Sequence, residues 1–295
     1  MTVKIVTYRA LEAGPALTVL GAVHGNEHAG AQAIGRLIGD IDSGAVALGS
    51  GTLRLVPVTN PGAYAAGVRF LERNLNRFLY PKEERTRYED HLDPILCEVL
   101  DQTGVLLDLH SYTSQGGPFI FLGGHDAKET AYARSLGVPD FVYGWSEAFG
   151  SGPDKESQGT TEYARTKGAL AVTLECGHHN NPDAADVAYR AILLALAHLG
   201  MLDADSPTVK SMDRGTPLSG QRCIRMKSAH FRQEGATFAK PWRHLDSVSK
   251  GEAIALLPGV ETVAAPEDAI IVMPNVNAAP GVEWFYLGTE TDFPS

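Results

Sequence analysis

The feature that most constrains the fold is an alternation of short apolar runs with helical patterns over the first 200 residues. The predicted strands are Lys4–Tyr8, Ala16–Val23, Thr52–Val58, Val105–His110, Phe119–Leu122 and Ala171–Glu175. The predicted helices are His28–Ile38, Leu92–Gln102, Asp126–Leu136, Thr161–Lys167 and Pro182–Leu199. Apolar strands that alternate with helices are typical of a sheet covered by helices on both faces. Residues 1–205 are therefore predicted to form an α/β domain.

The pattern changes after the last predicted helix. Closely spaced Asp203, Asp205 and Pro207 indicate a linker over Leu202–Lys210. Beyond it the chain shows only Gly/Pro turns and short predicted strands, at Arg222–Lys227, Ile254–Leu257, Ala269–Met273 and Glu283–Leu287. We expect residues 206–295 to form a small all-β domain.

Charge and composition narrow the classes of partner. The formal net charge is −10, and phosphate binding needs a basic face, so nucleic acid is not an expected partner. The longest apolar stretch, Ala191 to Leu199, is too short to span a membrane. The three cysteines show no CxxC spacing and the N-terminus shows no signal-peptide pattern, so we expect a cytoplasmic protein. The oligomeric state stays open, and a homo-oligomer is one possibility.

Two candidate metal ligands follow the second predicted strand. His24 and Glu27 lie three residues apart, where an apolar strand ends and a helix begins. Ligands usually bind at this edge of an α/β sheet. One turn of chain can point both side chains at a single ion, and Gly25 permits the sharp turn between them. The pair suits zinc, although such a pair alone is also typical of a polar loop.

Two further predicted strands end in ionisable residues at the same edge. His110 is a candidate for the third ligand, with Asp108 as the group that orients it. Glu175 follows an apolar run, and a glutamate beside zinc can act as a general base toward water. Each residue alone is also typical of a hydrogen-bonded or solvated strand end.

A basic loop supplies candidates for anion recognition. Arg69, Arg73 and Arg77 fall within nine residues of an acidic protein. The planar guanidinium matches a carboxylate through two parallel hydrogen bonds. A solvated loop whose arginines are balanced by nearby glutamates is the alternative.

Together these motifs resemble the succinylglutamate desuccinylase/aspartoacylase family, which is similar in fold to the zinc carboxypeptidases. HGNE from His24, NLNR from Asn74, DLH from Asp108 and LECG from Leu174 occur in the family's order. The resemblance covers His24 to about residue 199 by motif, and the C-terminal region by position and pattern. It implies a zinc-carboxypeptidase-like mixed sheet with helices on both faces.

The resemblance also implies a zinc-dependent deacylase that cleaves the amide bond of a small N-acyl amino acid. One Zn²⁺ per chain would be bound by His24, Glu27 and His110. Glu175 would be the general base that activates water. Arg69 would polarise the scissile carbonyl.

An anionic small-molecule substrate follows from the same resemblance. Asn76 and Arg77 would hold its carboxylate. Arg165, ten residues before Glu175, would bind a second anionic group or the same one from another side, which favours dicarboxylic N-acyl amino acids. Asn74 stands where the family commonly has aspartate, and the acyl group and amino acid stay open.

Two other functions remain as alternatives. His110-Ser111-Tyr112 matches the HSY sequence of carboxypeptidases, which favours a metallocarboxypeptidase or amidase that acts on short peptides. If the C-terminal domain caps the active site, only a small acylated amino acid fits. A binding module with structural zinc is disfavoured, because such sites normally have four protein ligands and we find three candidates.

Overall fold

The computed structural model describes residues 2–124, 126–148, 158–202, 220–259 and 262–294. The predicted linker lies, apart from Leu202, outside the described residues. The predicted boundary between the two domains, at residues 205 and 206, also lies outside them and stays a prediction.

Strands and helices alternate through the first 200 residues, as predicted. The strands of this part are β1 (Val6–Arg9), β2 (Glu12–Gly21), β3 (Ser50–Val56), β4 (Val105–Tyr112), β5 (Phe119–Phe121), β6 (Asp140–Tyr143) and β7 (Leu170–His178). The α-helices are α1 (His28–Asp42), α2 (Pro61–Ala66), α3 (Asp93–Asp101), α4 (Ala127–Arg134), α5 (Trp145–Ala148), α6 (Thr160–Thr166) and α7 (Ala184–His198), and a 3-10 helix spans Tyr88–His91. The elements that we did not predict (β6, α2, α5 and the 3-10 helix) are at most six residues long, too short for a periodic pattern.

The C-terminal β region is also confirmed. Its strands are β8 (Arg222–Phe231), β9 (Thr237–Phe238), β10 (Ser247–Val248), β11 (Ala253–Leu256), β12 (Thr262–Ala264), β13 (Ala269–Val272) and β14 (Glu283–Thr291).

In the described part of the chain, eleven strands form one mixed sheet. Their order is β1-β3-β2-β4-β7-β5-β6-β8-β14-β13-β10. Strands β3, β2, β4 and β7 run parallel to one another, so their carboxyl ends meet at one edge. Strand β5 pairs antiparallel with β7 and parallel with β6. The predicted mixed sheet is therefore confirmed.

Helices cover both faces of the parallel part of the sheet. Alternate side chains of its strands point to opposite faces and pack into two separate hydrophobic cores. On β4, Val105, Leu107 and Leu109 belong to the core that contains residues of α1 and α7. Leu106 belongs to the core that contains residues of α3 and α6. By this alternation Asp108 and His110 point to the same side of β4.

The C-terminal region continues the main sheet instead of forming a sheet entirely of its own. Strand β8 pairs in parallel with β6, and β14, β13 and β10 follow it outward. The small sheet β12-β11-β9 stands apart, over a core that contains Trp242, Trp284 and Phe285. The β6–β8 pairing joins residues about 80 positions apart, which no local pattern indicates. None of the helices in the described ranges combines the length and apolar character that a membrane crossing requires.

Candidate metal centre and substrate pocket

The three predicted metal ligands converge at the carboxyl edge of the sheet. Nδ1 of His24 lies 2.8 Å from Oε1 of Glu27 and 3.2 Å from Nδ1 of His110. Nδ1 of His110 lies 2.8 Å from Oε2 of Glu27. All three side chains are buried, and one ligand atom from each lies within 4.8 Å of the others. Among the described residues, no other group of three or more His, Cys, Asp or Glu side chains is placed to hold a metal ion.

Hydrogen bonds behind the two histidines determine which ring nitrogen faces the centre. Oδ1 of Asn74 accepts a hydrogen bond from the backbone N–H of Asn76 at 2.9 Å, which identifies it as the amide oxygen. The same oxygen lies 3.0 Å from Nε2 of His24, which must therefore donate. Nε2 of His110 donates to Oδ2 of Asp108 at 2.9 Å. When both imidazoles are neutral, as metal binding requires, both Nδ1 lone pairs face the same point.

This donor set fits a zinc ion. Two nitrogen ligands about 2.0–2.1 Å from zinc, at the tetrahedral angle, are roughly 3.3 Å apart. The two Nδ1 atoms are 3.2 Å apart. Histidines that bind zinc usually donate their other ring N–H to a carboxylate or carbonyl, as His110 donates to Asp108. Burial and the nearby Arg69 lower the pKa of His24 to about 4, so its imidazole is neutral and can bind a metal.

Glu175 lies beside the centre because β4 and β7 pair with His110 opposite Glu175. The side chain is buried, and its Oε2 has no hydrogen-bond partner in the described part of the chain. Burial, together with the charge of Glu27, raises the pKa of Glu175 to about 8. A carboxyl group with this pKa can accept or release a proton near neutral pH.

The arginine loop divides into a pocket part and a structural part. Arg69 is half-exposed and donates to Oε1 of Glu27 at 2.9 Å. Arg73 is buried instead, and its guanidinium forms ion pairs with Asp90 at 3.0 Å and with Asp93 at 2.7 Å. Arg73 therefore holds the loop in place, and the sequence-based reading of Arg73 as an anion-recognition candidate was wrong.

Two further residues of this loop, Asn76 and Arg77, line the pocket. Nη1 of Arg77 donates to the backbone carbonyl of Asn76 at 2.7 Å, and the guanidinium carbon lies 5.3 Å from the ring centroid of Trp145. Oδ1 of Asn76 accepts from the backbone N–H of Thr160, at the start of α6, at 2.8 Å. Both residues line the pocket, as expected of groups that hold a substrate carboxylate.

Arg165 reaches the same pocket but has protein partners of its own. Its Nε donates to Oε2 of Glu129 at 2.8 Å, and Nη2 reaches Oε1 of Glu129 at 3.3 Å. Nη2 also donates to the carbonyl of Ala171, and Nη1 lies 3.4 Å from Glu162. Its role in binding a substrate anion stays a prediction.

The pocket between these groups has a volume of about 110 Å³. The groups already described form the polar part of its wall, and Phe121, Leu122, Trp145 and Met273 form an apolar part. Met273 follows β13, so the C-terminal region contributes to the wall of the pocket. The sequence analysis missed these apolar residues, because they come from three separate segments of the chain.

Three other histidines lie around a second cavity. His28, His178 and His179 line a space of about 540 Å³, together with Trp242 and Arg243 from the C-terminal region. His179 is tied to the metal centre, because Oγ of Ser111 lies 2.8 Å from its Nδ1 and the Ser111 backbone N–H donates to Glu27 at 3.1 Å.

Several solved structures are similar to this chain. A succinylglutamate desuccinylase/aspartoacylase from Rhodobacter sphaeroides superposes with a TM-score of 0.75 at 19% identity, over 98% of this chain and 89% of that one. The product-bound ectoine utilization protein EutE (DoeB) from Ruegeria pomeroyi superposes with a TM-score of 0.72 at 21% identity, over 97% of this chain and 88% of that one. A succinylglutamate desuccinylase from Vibrio parahaemolyticus superposes with a TM-score of 0.71 at 18% identity, over 99% of this chain and 92% of that one. At these identities the superpositions show the fold alone.

Sequence comparison with whole families is more specific than these superpositions. No curated protein matches the chain at a significant level. The family model named Succinylglutamate desuccinylase/Aspartoacylase catalytic domain matches residues 13–199, a span that contains all the predicted site residues. Because this match covers more than half of the chain, the chain belongs to the succinylglutamate desuccinylase/aspartoacylase family.

Proposed function

We propose that this protein is a zinc-dependent hydrolase that cleaves the amide bond of a small N-acyl amino acid. The observation that carries the proposal is the juxtaposition of a buried His24–Glu27–His110 ligand set with Glu175, whose Oε2 has no hydrogen-bond partner among the described residues. Membership of the family supports a deacylase. One zinc ion per chain is expected, because the described residues offer one such ligand set.

Glu175 carries out the proton transfers of the reaction. A zinc ion held by these residues would lower the pKa of water and would act as a Lewis acid toward the scissile carbonyl. Oε2 of Glu175, which has no protein donor in the described residues, accepts the proton that the attacking water loses. The same carboxyl group then returns the proton to the departing amide nitrogen. A carboxyl group whose pKa is raised by burial is suited to both transfers.

The arginines stabilise charge and fix orientation. Arg69 is half-exposed, so its guanidinium can turn from Glu27 toward the carbonyl oxygen as negative charge develops there. Arg77 and Asn76, which line the same pocket, bind the substrate carboxylate. Two fixed ends hold the scissile carbonyl over the ligand set, and such positioning lowers the barrier by several kcal/mol in intramolecular models, up to about 7–11 kcal/mol.

The structure favours a small substrate over a peptide. The pocket volume is about 110 Å³, and Met273 of the C-terminal region forms part of its wall. The HSY tyrosine, Tyr112, is buried and donates its hydroxyl to the carbonyl of Gly117 at 2.6 Å, so it is not directed at a substrate. The three cysteines are free and buried, which supports the proposed cytoplasmic location.

A substrate panel tests the proposal. The zinc-loaded protein is incubated with N-formyl, N-acetyl and N-succinyl amino acids and with dipeptides, and release of the free amino group is measured. We expect hydrolysis of at least one N-acyl class, with dipeptides cleaved more slowly. The Glu175→Gln variant is the control for contaminating hydrolases. Faster cleavage of dipeptides than of every N-acyl amino acid would contradict the proposal.

A further inference from the structure

The charge of Arg165 is already balanced within the protein. Its partner Glu129 is 4% exposed and receives two hydrogen bonds from the guanidinium. Oε1 of Glu129 also accepts the backbone N–H of Gly123 at 2.6 Å, which fixes the carboxylate in place. A second carboxylate, from Glu162, lies 3.4 Å from Nη1 and lines the pocket. A substrate anion that approached Arg165 would therefore meet two carboxylates.

Of the other two pocket arginines, Arg69 and Arg77, one has a carboxylate partner and the other is left to bind the substrate. Arg69 is paired with Glu27. Arg77 contacts a backbone carbonyl and the ring of Trp145, and no carboxylate of the described residues lies within ion-pair distance of it. Burying a carboxylate costs free energy unless a cation or several donors pair with it. The pocket is thus matched in charge to one substrate carboxylate, at Arg77.

Part of the pocket wall is apolar, and its side chains pack against one another. Phe121 and Trp145 meet edge to face with ring centroids 5.5 Å apart, and Trp145 packs on Tyr286 at 5.2 Å. These side chains, with Met273, pack on a buried apolar cluster. An aromatic surface that is already packed in place loses little entropy when a ligand covers it.

We propose, on the basis of the proposed function, that the substrate is the N-acyl derivative of a neutral, apolar amino acid, with its single carboxylate at Arg77 and its apolar group against Phe121, Trp145 and Met273. This assignment replaces the second anionic group that the sequence suggested for Arg165. The pair Glu129–Arg165 then determines specificity by withholding a cation from acidic substrates.

Rates on matched substrates test this inference. The zinc-loaded protein is assayed with the N-acetyl derivatives of phenylalanine, methionine, aspartate and glutamate. We expect kcat/KM for the two apolar substrates to exceed the values for the two acidic ones by at least about 10-fold, which is the lower range of discrimination by an apolar pocket. Equal values, or higher values for the acidic pair, would overturn the inference.

Two variants locate the cause of the preference. Glu129→Gln keeps the acceptor for Gly123 but removes the charge that balances Arg165, so kcat/KM for N-acetylaspartate should rise relative to N-acetylphenylalanine. Trp145→Ala should lower kcat/KM for N-acetylphenylalanine about 10-fold and leave N-acetylaspartate nearly unchanged. Phe231→Ala, at a half-exposed aromatic residue outside the pocket, is the matched control and should leave the ratio unchanged. Ratios unchanged in both pocket variants would overturn the assignment.

Failure of the proposed function has a separate signature. If none of the four substrates is hydrolysed, the deacylase proposal fails, and calorimetric binding of 3-phenylpropanoate and succinate to the zinc-loaded protein decides the charge match alone. Tighter binding of 3-phenylpropanoate supports a site for one carboxylate and an apolar group. Tighter or equal binding of succinate overturns it.

Discussion

His24 and Asn74 are joined by a hydrogen bond of 3.0 Å between the ring Nε2 and the amide oxygen. The same oxygen accepts the backbone N–H of Asn76, a residue of the pocket wall. One amide group therefore couples the orientation of a candidate metal ligand to the position of the arginine loop. Asn74 stands where the family commonly has aspartate, and a neutral amide can accept both hydrogen bonds.

Removing this contact should weaken metal binding. In Asn74→Ala, His24 loses the acceptor that fixes its tautomer and ring orientation, and we expect zinc affinity to fall about 10- to 100-fold. Competition with a zinc chelator at constant pH measures the change. Asn275→Ala is the control, because the side chain of Asn275 accepts only the turn N–H of Asn277 among the described residues. Equal losses in both variants would contradict the role of Asn74.

Zinc content should be one ion per chain. Native mass spectrometry of the zinc-loaded protein gives the count directly. His110→Ala removes one of the two proposed nitrogen ligands, so the variant should lose bound zinc during buffer exchange. Full retention of zinc by this variant would exclude His110 as a ligand.

Glu175→Gln should separate metal binding from turnover. The amide keeps the shape of the side chain but cannot accept a proton, so kcat should fall at least about 100-fold while zinc content stays at the parent level. Single-turnover rates and metal analysis on the same sample check both statements. A rate within tenfold of the parent would rule out Glu175 as the general base.

The stability of the metal-free protein should depend on pH through Glu175. Burial, aided by Glu27, raises the pKa of this carboxyl group from 4.5 to about 8. The folded state holds the proton more tightly than the unfolded state, so the stabilisation is fully present below about pH 4.5 and is lost as the pH rises through about 8. The Gln variant has no such loss. Its Tm relative to the parent should therefore rise between pH 5 and pH 8, by about 2 °C for each kcal/mol.

Differential scanning calorimetry of both metal-free proteins across this pH range measures the difference in Tm. A difference that stays constant, or that shrinks toward pH 8, would contradict a raised pKa for Glu175.

Arg73 should be needed for stability. Its guanidinium is 6% exposed and pairs with Asp90 and Asp93, so Arg73→Met leaves buried carboxylates short of a cation. We expect the free energy of unfolding to fall by about 3–5 kcal/mol. In Lys227→Ala, which breaks an exposed pair with Glu267, the loss should be below about 1 kcal/mol. Urea unfolding monitored by circular dichroism compares the two, and similar losses would show that Arg73 is not structural.

The sequence by itself determined the fold class and the three candidate metal ligands. Apolar runs followed by or ending in His24, His110 and Glu175 predicted strand ends at one edge of the sheet, and the structure pairs these strands in parallel. Two-residue alternation also places Asp108 and His110 on the same side of β4. These relations depend on spacing along the chain, and spacing can be read from the sequence.

Only the tertiary structure decided which arginines have a carboxylate partner within the protein. Arg73, Arg77 and Arg165 are chemically alike in the sequence, but Arg73 is neutralised by Asp90 and Asp93, and Arg165 by Glu129, 36 residues away. The join of β8 to β6 and the apolar wall of the pocket were likewise absent from the sequence analysis. The effective charge of a side chain depends on burial and on partners brought close by folding, and neither follows a local period.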